Sequence, residues 1–157
     1  MTTHLRPMTD AEIAAWKAEL TVSYIADRMK TGESEEEATR VTDMQLGALL
    51  PDGKPAPGNL LSRVCVDDEP VGWLWIGPRN PDAPEAYWVW DVVIDESQRG
   101  KGLGRQAMVL AEQQALEAGA SELGLNVFGI NTIARRLYES LGYETTAIQM
   151  RKLLSKD

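Results

Sequence analysis

The chain has one cysteine, Cys65, and one histidine, His4, in 157 residues. A lone cysteine forms no internal disulfide, which favours a reducing compartment. A lone histidine near the N-terminus gives little basis for a Ser-His-Asp triad. One His and one Cys also leave a zinc site of the usual ligand types without donors, so no metal is expected. The carboxylates Asp67, Asp68 and Glu69 read as a solvated turn rather than a magnesium site. Positive charge is in deficit as well, with 16 Lys and Arg against 24 Asp and Glu and a formal net charge of −8. A general nucleic-acid binder needs a basic surface to neutralise phosphates, so no nucleic-acid partner is expected. An acidic field suits a cationic substrate such as an amine. No apolar run approaches the roughly 18 residues of a membrane span, and the opening MTTHLRPMTD has no apolar signal-peptide core. The expectation is a cytoplasmic protein without membrane contact, and one domain over residues 1–157.

What is present is strong periodicity. In residues 10–29, Ile13, Trp16, Leu20 and Tyr24 recur at helical spacing. Ser34 with Glu37 forms a capping-box signature for a second helix, expected to turn Val41, Met44 and Ala48 inward. Pro51, Gly53, Pro55 and Pro57 mark a loop. LLSRVCV and EPVGWLWIG read as strands, the second placing Val71, Trp73 and Trp75 on one face. Residues 86–95 are apolar on both faces except at Asp91 and Asp95, the pattern of a central strand. After a glycine stretch come a helix ending near Gly119, a strand over SELGLNVF, a short helix ending at Gly142, and a last strand over YETTAIQMRKLL. A short strand around HLRPM adds to these. The order implies a mixed α/β or α+β sheet with helices on both faces.

The glycine stretch QRGKGLGR, residues 98–105, follows the buried strand and opens a helix. The first N–H groups of a helix have no internal partner, and the helix dipole adds positive charge there. Glycines let the backbone approach a phosphate, and Arg99, Lys101 and Arg105 add charge, so the local physics predicts an anion cradle. Gly100, Gly102 and Gly104 give G-x-G-x-G, which is neither the dinucleotide fingerprint nor a P-loop. Read alone, the stretch also fits a turn of small residues.

The flanks narrow the reading. VVIDESQRGKGLGRQAM resembles the acyl-CoA-binding segment of the GNAT superfamily of N-acetyltransferases, of the form [RQ]-x-x-G-x-[GA]. Downstream, Asn131, Ala134, Leu137, Tyr138, Gly142 and Tyr143 are similar to that family's second signature. The resemblance implies the GNAT fold, with a mixed central sheet of about six to seven strands and a splayed pair of central strands. It implies acetyl-CoA as co-substrate, its pyrophosphate on Arg99, Gly100, Lys101, Gly102, Leu103, Gly104 and Arg105. The pantetheine arm would lie along Val92, Val93 and Ile94, and Asn131 would contact it or cap the helix. Tyr138 would protonate the departing thiolate, and Asp91 would serve as general base or as a hydrogen-bonded structural carboxylate. Tyr24, Trp75 and Asn126, with Trp73, Trp88 and Trp90, are candidates to line the acceptor site, although core packing is the simpler account of the tryptophans. The acceptor would be a small-molecule or protein amine, and a homodimer is compatible with the resemblance. The alternative reading is a non-catalytic acyl-CoA-binding or sensing module on the same fold.

Overall fold

The computed structural model describes residues 2–155. The chain divides into two compact units, Met1–Leu125 and Asn126–Asp157. The first unit holds strands β1 (Thr3–Pro7), β2 (Leu60–Val66), β3 (Glu69–Pro78), β4 (Ala86–Ile94) and β5 (Glu122–Gly124), and helices α1 (Asp10–Lys30), α2 (Glu35–Leu49) and α3 (Leu103–Glu117). The second unit holds α4 (Thr132–Ser140).

The sheet runs β1-β2-β3-β4-β5. The first four strands are antiparallel, and β5 lies parallel to β4. The β2–β3 hairpin turns through exposed Asp67 at φ 53°, which accounts for the acidic run there. Its register aligns Leu61, Trp75 and Asp91 across three strands, and Ser62, Leu74 and Val92 beside them on the opposite face. The first row faces α1 and α2, because Leu61 and Trp75 share a core with Ile13, Trp16, Leu20, Leu46 and Leu50. The second row faces α3, whose Gln114 amide donates to buried Ser62 Oγ at 3.1 Å. Helices therefore cover both faces, as expected.

Helix α1 starts at a complete capping box. Thr9 Oγ1 accepts from the Glu12 N–H, and the Glu12 carboxylate accepts from the Thr9 N–H. Glu12 also pairs with Arg6 at 2.8 Å, and these contacts lower its pKa to about 2. Helix α2 has only half of this device. Ser34 caps the Glu37 N–H, but the Glu37 carboxylate turns outward to Arg40. The inward stripe of α2 is Ala38, Thr42 and Leu46 rather than Val41, Met44 and Ala48. Met44 is exposed, so the stripe is rotated from the expected one.

Two expectations about strands are corrected. The described residues form five strands, not six to seven. The segment YETTAIQMRKLL forms no strand in its described part, and Ile148, Met150, Leu153 and Leu154 are exposed. SELGLNVF contributes only Glu122–Gly124. Strand propensity measures fit against a neighbouring strand rather than a preference of the backbone itself, so apolar alternation does not guarantee pairing.

Close backbone approach fixes one glycine in the sheet. A Cβ on Gly72 would lie 2.1 Å from the Val93 carbonyl oxygen. Gly72→Ala is expected to destabilise the chain by roughly 3 kcal/mol through overpacking. Gly47→Ala, in α2 with open space at the Cβ position, is expected to stabilise it by about 0.5–1 kcal/mol. Urea midpoints of the two variants check both signs.

Candidate active site

The site begins with an irregularity in β4. Trp75 pairs with Asp91, and Ile76 pairs with Val89, so Trp90 is an extra residue opposite β3. Simple alternation would send Asp91 to the α3 face with buried Tyr87 and Val89. The bulge instead brings Trp90 and Asp91 in succession to the α1/α2 face. Trp90 packs on Trp75 with ring centroids 5.8 Å apart, and Asp91 Oδ2 accepts from Trp73 Nε1 at 2.8 Å. Bulges commonly re-aim side chains in this way.

Asp91 sits among aromatic groups. Burial raises its pKa, opposed first by the Trp73 hydrogen bond, then by the nearby Trp16 indole and the Val92 N–H. Tyr24 of α1 is half-buried against the same core, and its phenol is pushed upward by burial, then by Asp91 and Asp27. Trp16 meets Trp75 edge-on at 5.2 Å. Trp75 is only 1% exposed and donates its indole N–H to Asn59 at 2.9 Å. It is therefore the floor of the aromatic cluster and not a wall of an open acceptor site, a correction to the expected lining. Trp88 is held between the Arg79 guanidinium, 4.1 Å above its ring, and Gly124, where a Cβ would lie 2.7 Å from it. Tyr24, Trp73 and Trp90 remain as half-buried walls beside the carboxylate.

The second feature of β4 is its edge. Pairing with β5 covers only Ala86, Tyr87 and Trp88. Val92, Val93 and Ile94 pair with β3 and lie beyond the last contact with β5, the edge strand, so β4 runs on without a β5 neighbour after Trp88. A strand edge of this kind offers backbone donors and acceptors to an extended ligand.

The glycine stretch follows that edge. A short 3-10 turn, Glu96–Gln98, leads into it, and Gly100 and Gly102 have φ of 79° and 76°. That left-handed conformation is costly for other residues, and the space at both Cβ positions is open. Gly102 is the N-cap of α3 and supplies no side-chain hydrogen bond, and the first turn contains no acidic residue. By contrast, α1 and α2 have side-chain caps and acidic first turns. The α3 start thus keeps its positive end uncompensated by a cap or a carboxylate. Arg99 Nε bonds the Ile94 carbonyl at 3.0 Å and ties the turn to the strand end, while Lys101 Nζ lies 3.0 Å from Gln98 Oε1. Leu103 is buried and anchors the helix, and Gly104 and Arg105 complete its first turn.

In the second unit, Asn131 is the N-cap of α4 and accepts from the Ala134 N–H at 3.2 Å. Tyr138 is half-buried beside Tyr143, with ring centroids 6.0 Å apart, and burial raises its phenol pKa. Asn126 is exposed and outside any strand. Among the site residues, the sequence signal alone missed the Trp73–Asp91 bond, because alternation gives no sign of the bulge.

A mixed sheet whose β4 outruns its short edge strand, followed by a glycine-cleared helix start with helices on both faces, defines an α/β protein. Residues 16–143 match the acetyltransferase (GNAT) family model, and the chain belongs to that family. It is 32% identical to the uncharacterized N-acetyltransferase YycN of Bacillus subtilis (strain 168) over 156 residues, covering 98% of this chain and 100% of that one. The crystal structure of YycN superposes with a TM-score of 0.83 over 99% of this chain and 100% of that one. L-2,4-diaminobutyric acid acetyltransferase of Streptomyces coelicolor is 34% identical over 86 residues, 54% of this chain and 50% of that protein. AAC(6')-Iy in complex with a CoA bisubstrate analogue shares the fold, with a TM-score of 0.59 at 16% identity over 98% of this chain and 100% of that one. No helix among the described residues is long and apolar enough to cross a membrane, and no group of metal-ligating side chains was found among them.

The raised pKa of Asp91 has a stability consequence. A carboxyl raised in the folded state binds more protons folded than unfolded, so stability falls as pH rises from about 3.9 through the folded value. Asn at this position keeps an oxygen for Trp73 and carries no charge. Asp91→Asn is therefore expected to gain stability relative to the wild type over that window, fully at higher pH and not at all below it. Urea unfolding at pH 3 and pH 8 measures the difference. A pH-independent difference would mean that Asp91 titrates alike in both states.

Proposed function

We propose that the protein transfers an acetyl group from acetyl-CoA to a primary amine by direct attack in a ternary complex. The observation that carries this reading is the start of α3, which is uncapped, free of acid in its first turn and cleared by Gly100 and Gly102 directly after an edge of β4. The backbone N–H groups of Gly102, Leu103, Gly104 and Arg105 would hold the pyrophosphate, with Arg99 and Lys101 beside it. Val92, Val93 and Ile94 would pair with the pantetheine amides, and Asn131 would order the start of α4 or contact the arm. A strand N–H near Val92 or Val93 would polarise the thioester carbonyl.

The acceptor ammonium gives a proton to Asp91, and the freed amine attacks the thioester carbon. The new C–N bond forms, the C–S bond breaks, and Tyr138 protonates the departing sulfur. The attacking nitrogen loses its second proton as the amide forms, and that proton restores the phenol, while Asp91 returns its own to solvent, so each turnover releases one proton. A carboxylate walled by Tyr24, Trp73 and Trp90 suits an ammonium, since aromatic faces attract cations. The diaminobutyric acid acetyltransferase relative supports a small-molecule amine. The single buried Cys65 fits a reducing, cytoplasmic setting.

Release of free CoA thiol over a panel of amines tests the reading. Turnover with one or more amines, together with thermal stabilisation by acetyl-CoA but not by ATP or NAD, is the expected result. Stabilisation without turnover would favour the non-catalytic acyl-CoA-binding module, and no stabilisation by acetyl-CoA would overturn both. Tyr138→Phe is expected to lower kcat by roughly tenfold to a hundredfold while retaining acetyl-CoA binding. For Asp91→Asn, a loss under about tenfold in kcat/KM with an unchanged high-pH limit would remove Asp91 as the base.

A further inference from the structure

The bond between Trp73 and Asp91 belongs to a longer chain of contacts. Thr9 and Glu12 cap α1, and Glu12 Oε2 lies 3.7 Å from Arg63 Nε on β2. Arg63 pairs directly with Trp73 across the β2–β3 ladder, and its guanidinium carbon lies 5.9 Å from the Trp73 ring centroid. Trp73 in turn donates to Asp91 Oδ2 at 2.8 Å. The contacts thus run from a helix cap to the proposed base, and every member lies in the first unit.

We propose that Trp73 is a positioning residue: its indole N–H anchors Oδ2 of Asp91, leaving Oδ1 to meet the acceptor ammonium, and Arg63 over the ring holds the indole in that orientation. The bulge at Trp90 makes the anchor necessary. It turns Asp91 onto a face of aromatic rings, where a carboxylate without a donor would favour its protonated form. A cation over the ring face makes the indole N–H a stronger donor, so Arg63 acts through Trp73. The groups facing Asp91 are Trp16 and Tyr24 from α1 and Trp73 from β3, with the Val92 N–H from its own strand. Asp27 lies one helical turn beyond Tyr24, and Arg63 and Glu12 stand behind Trp73.

The inference rests on Asp91 as base, and the experiment separates the two. The Asp91 carboxyl is followed by carbon NMR in the free protein, assigned by its loss in Asp91→Asn, beside the pH profile of kcat/KM. In Trp73→Phe the midpoint is expected to rise by about one pH unit, because a hydrogen bond to the charged form is lost. The acidic limb of the profile should rise equally, and acetyl-CoA affinity should stay within about twofold. Arg63→Leu should shift the midpoint less in the same direction, and Arg63→Lys should restore part of it. If Trp73→Phe does not fold, Arg63→Leu and Arg63→Lys supply the same reading. A midpoint unmoved in the variants that fold overturns the positioning role. A moved midpoint with an unmoved profile overturns Asp91 as base, and with it the catalytic meaning of the contact.

Discussion

A backbone N–H or C=O inside a sheet needs a partner, and β4 loses its β5 partner after Trp88. The rest of the candidate site depends on that loss. Six residues of β4, from Val89 to Ile94, run beyond the last β5 contact, with β3 as their sheet neighbour. Their second edge can pair with an extended ligand in place of a strand. The chain then leaves β4 through a short turn, with Arg99 tied back to Ile94, and enters α3 at its bare start. A strand edge and a glycine-cleared helix start are consecutive in sequence because the same stretch of chain makes both.

The bulge at Trp90 has a second effect, and it is electrostatic. It sets a carboxylate among Trp16, Tyr24 and Trp73 rather than in the α3 core. Burial favours the neutral acid, while the Trp73 and Trp16 indoles and the Val92 N–H favour the ion. The balance leaves Asp91 raised, which suits a proton acceptor better than an ordinary surface carboxylate, since a base works best near the operating pH. The same balance costs folding stability at neutral pH. The Trp16–Trp75 core beneath Asp91 supplies the rigid packing that offsets this cost.

Much of this was legible in the sequence. The cap signals at Ser34 and Asn131, the left-handed glycines at 119 and 142, and strands β2, β3 and β4 all follow from local chemistry. The failures share a cause, which is dependence on a distant partner. The face of α2 is set by the core it packs on, so a stripe one residue away, Ala38, Thr42 and Leu46, was buried in place of Val41, Met44 and Ala48. Residues 143–155 alternate well but have no ladder in the described structure. Asp91 stood out as a charge in an apolar strand, yet its face was hidden, because one extra residue reverses every side chain beyond it. The burial of Trp75 likewise depends on Asn59 and on Gly77, where a Cβ would meet that asparagine at 2.2 Å.

The three helix starts of the first unit meet one problem in different ways. Each leaves N–H groups without intrahelical partners. Helix α1 answers with Thr9, Glu12 and Asp10, and α2 with Ser34 and three glutamates. Helix α3 places a left-handed glycine at the N-cap and no acid in its first turn. In a chain with 24 acidic residues, an acid-free turn at a helix N-terminus runs against both composition and the usual preference for carboxylates there. The omission leaves local stabilisation unused at α3, and the buried side chains of Leu103, Ala107, Met108 and Ala111 hold the helix without it. Tertiary packing therefore carries α3, and its start does without a side-chain cap or a first-turn carboxylate.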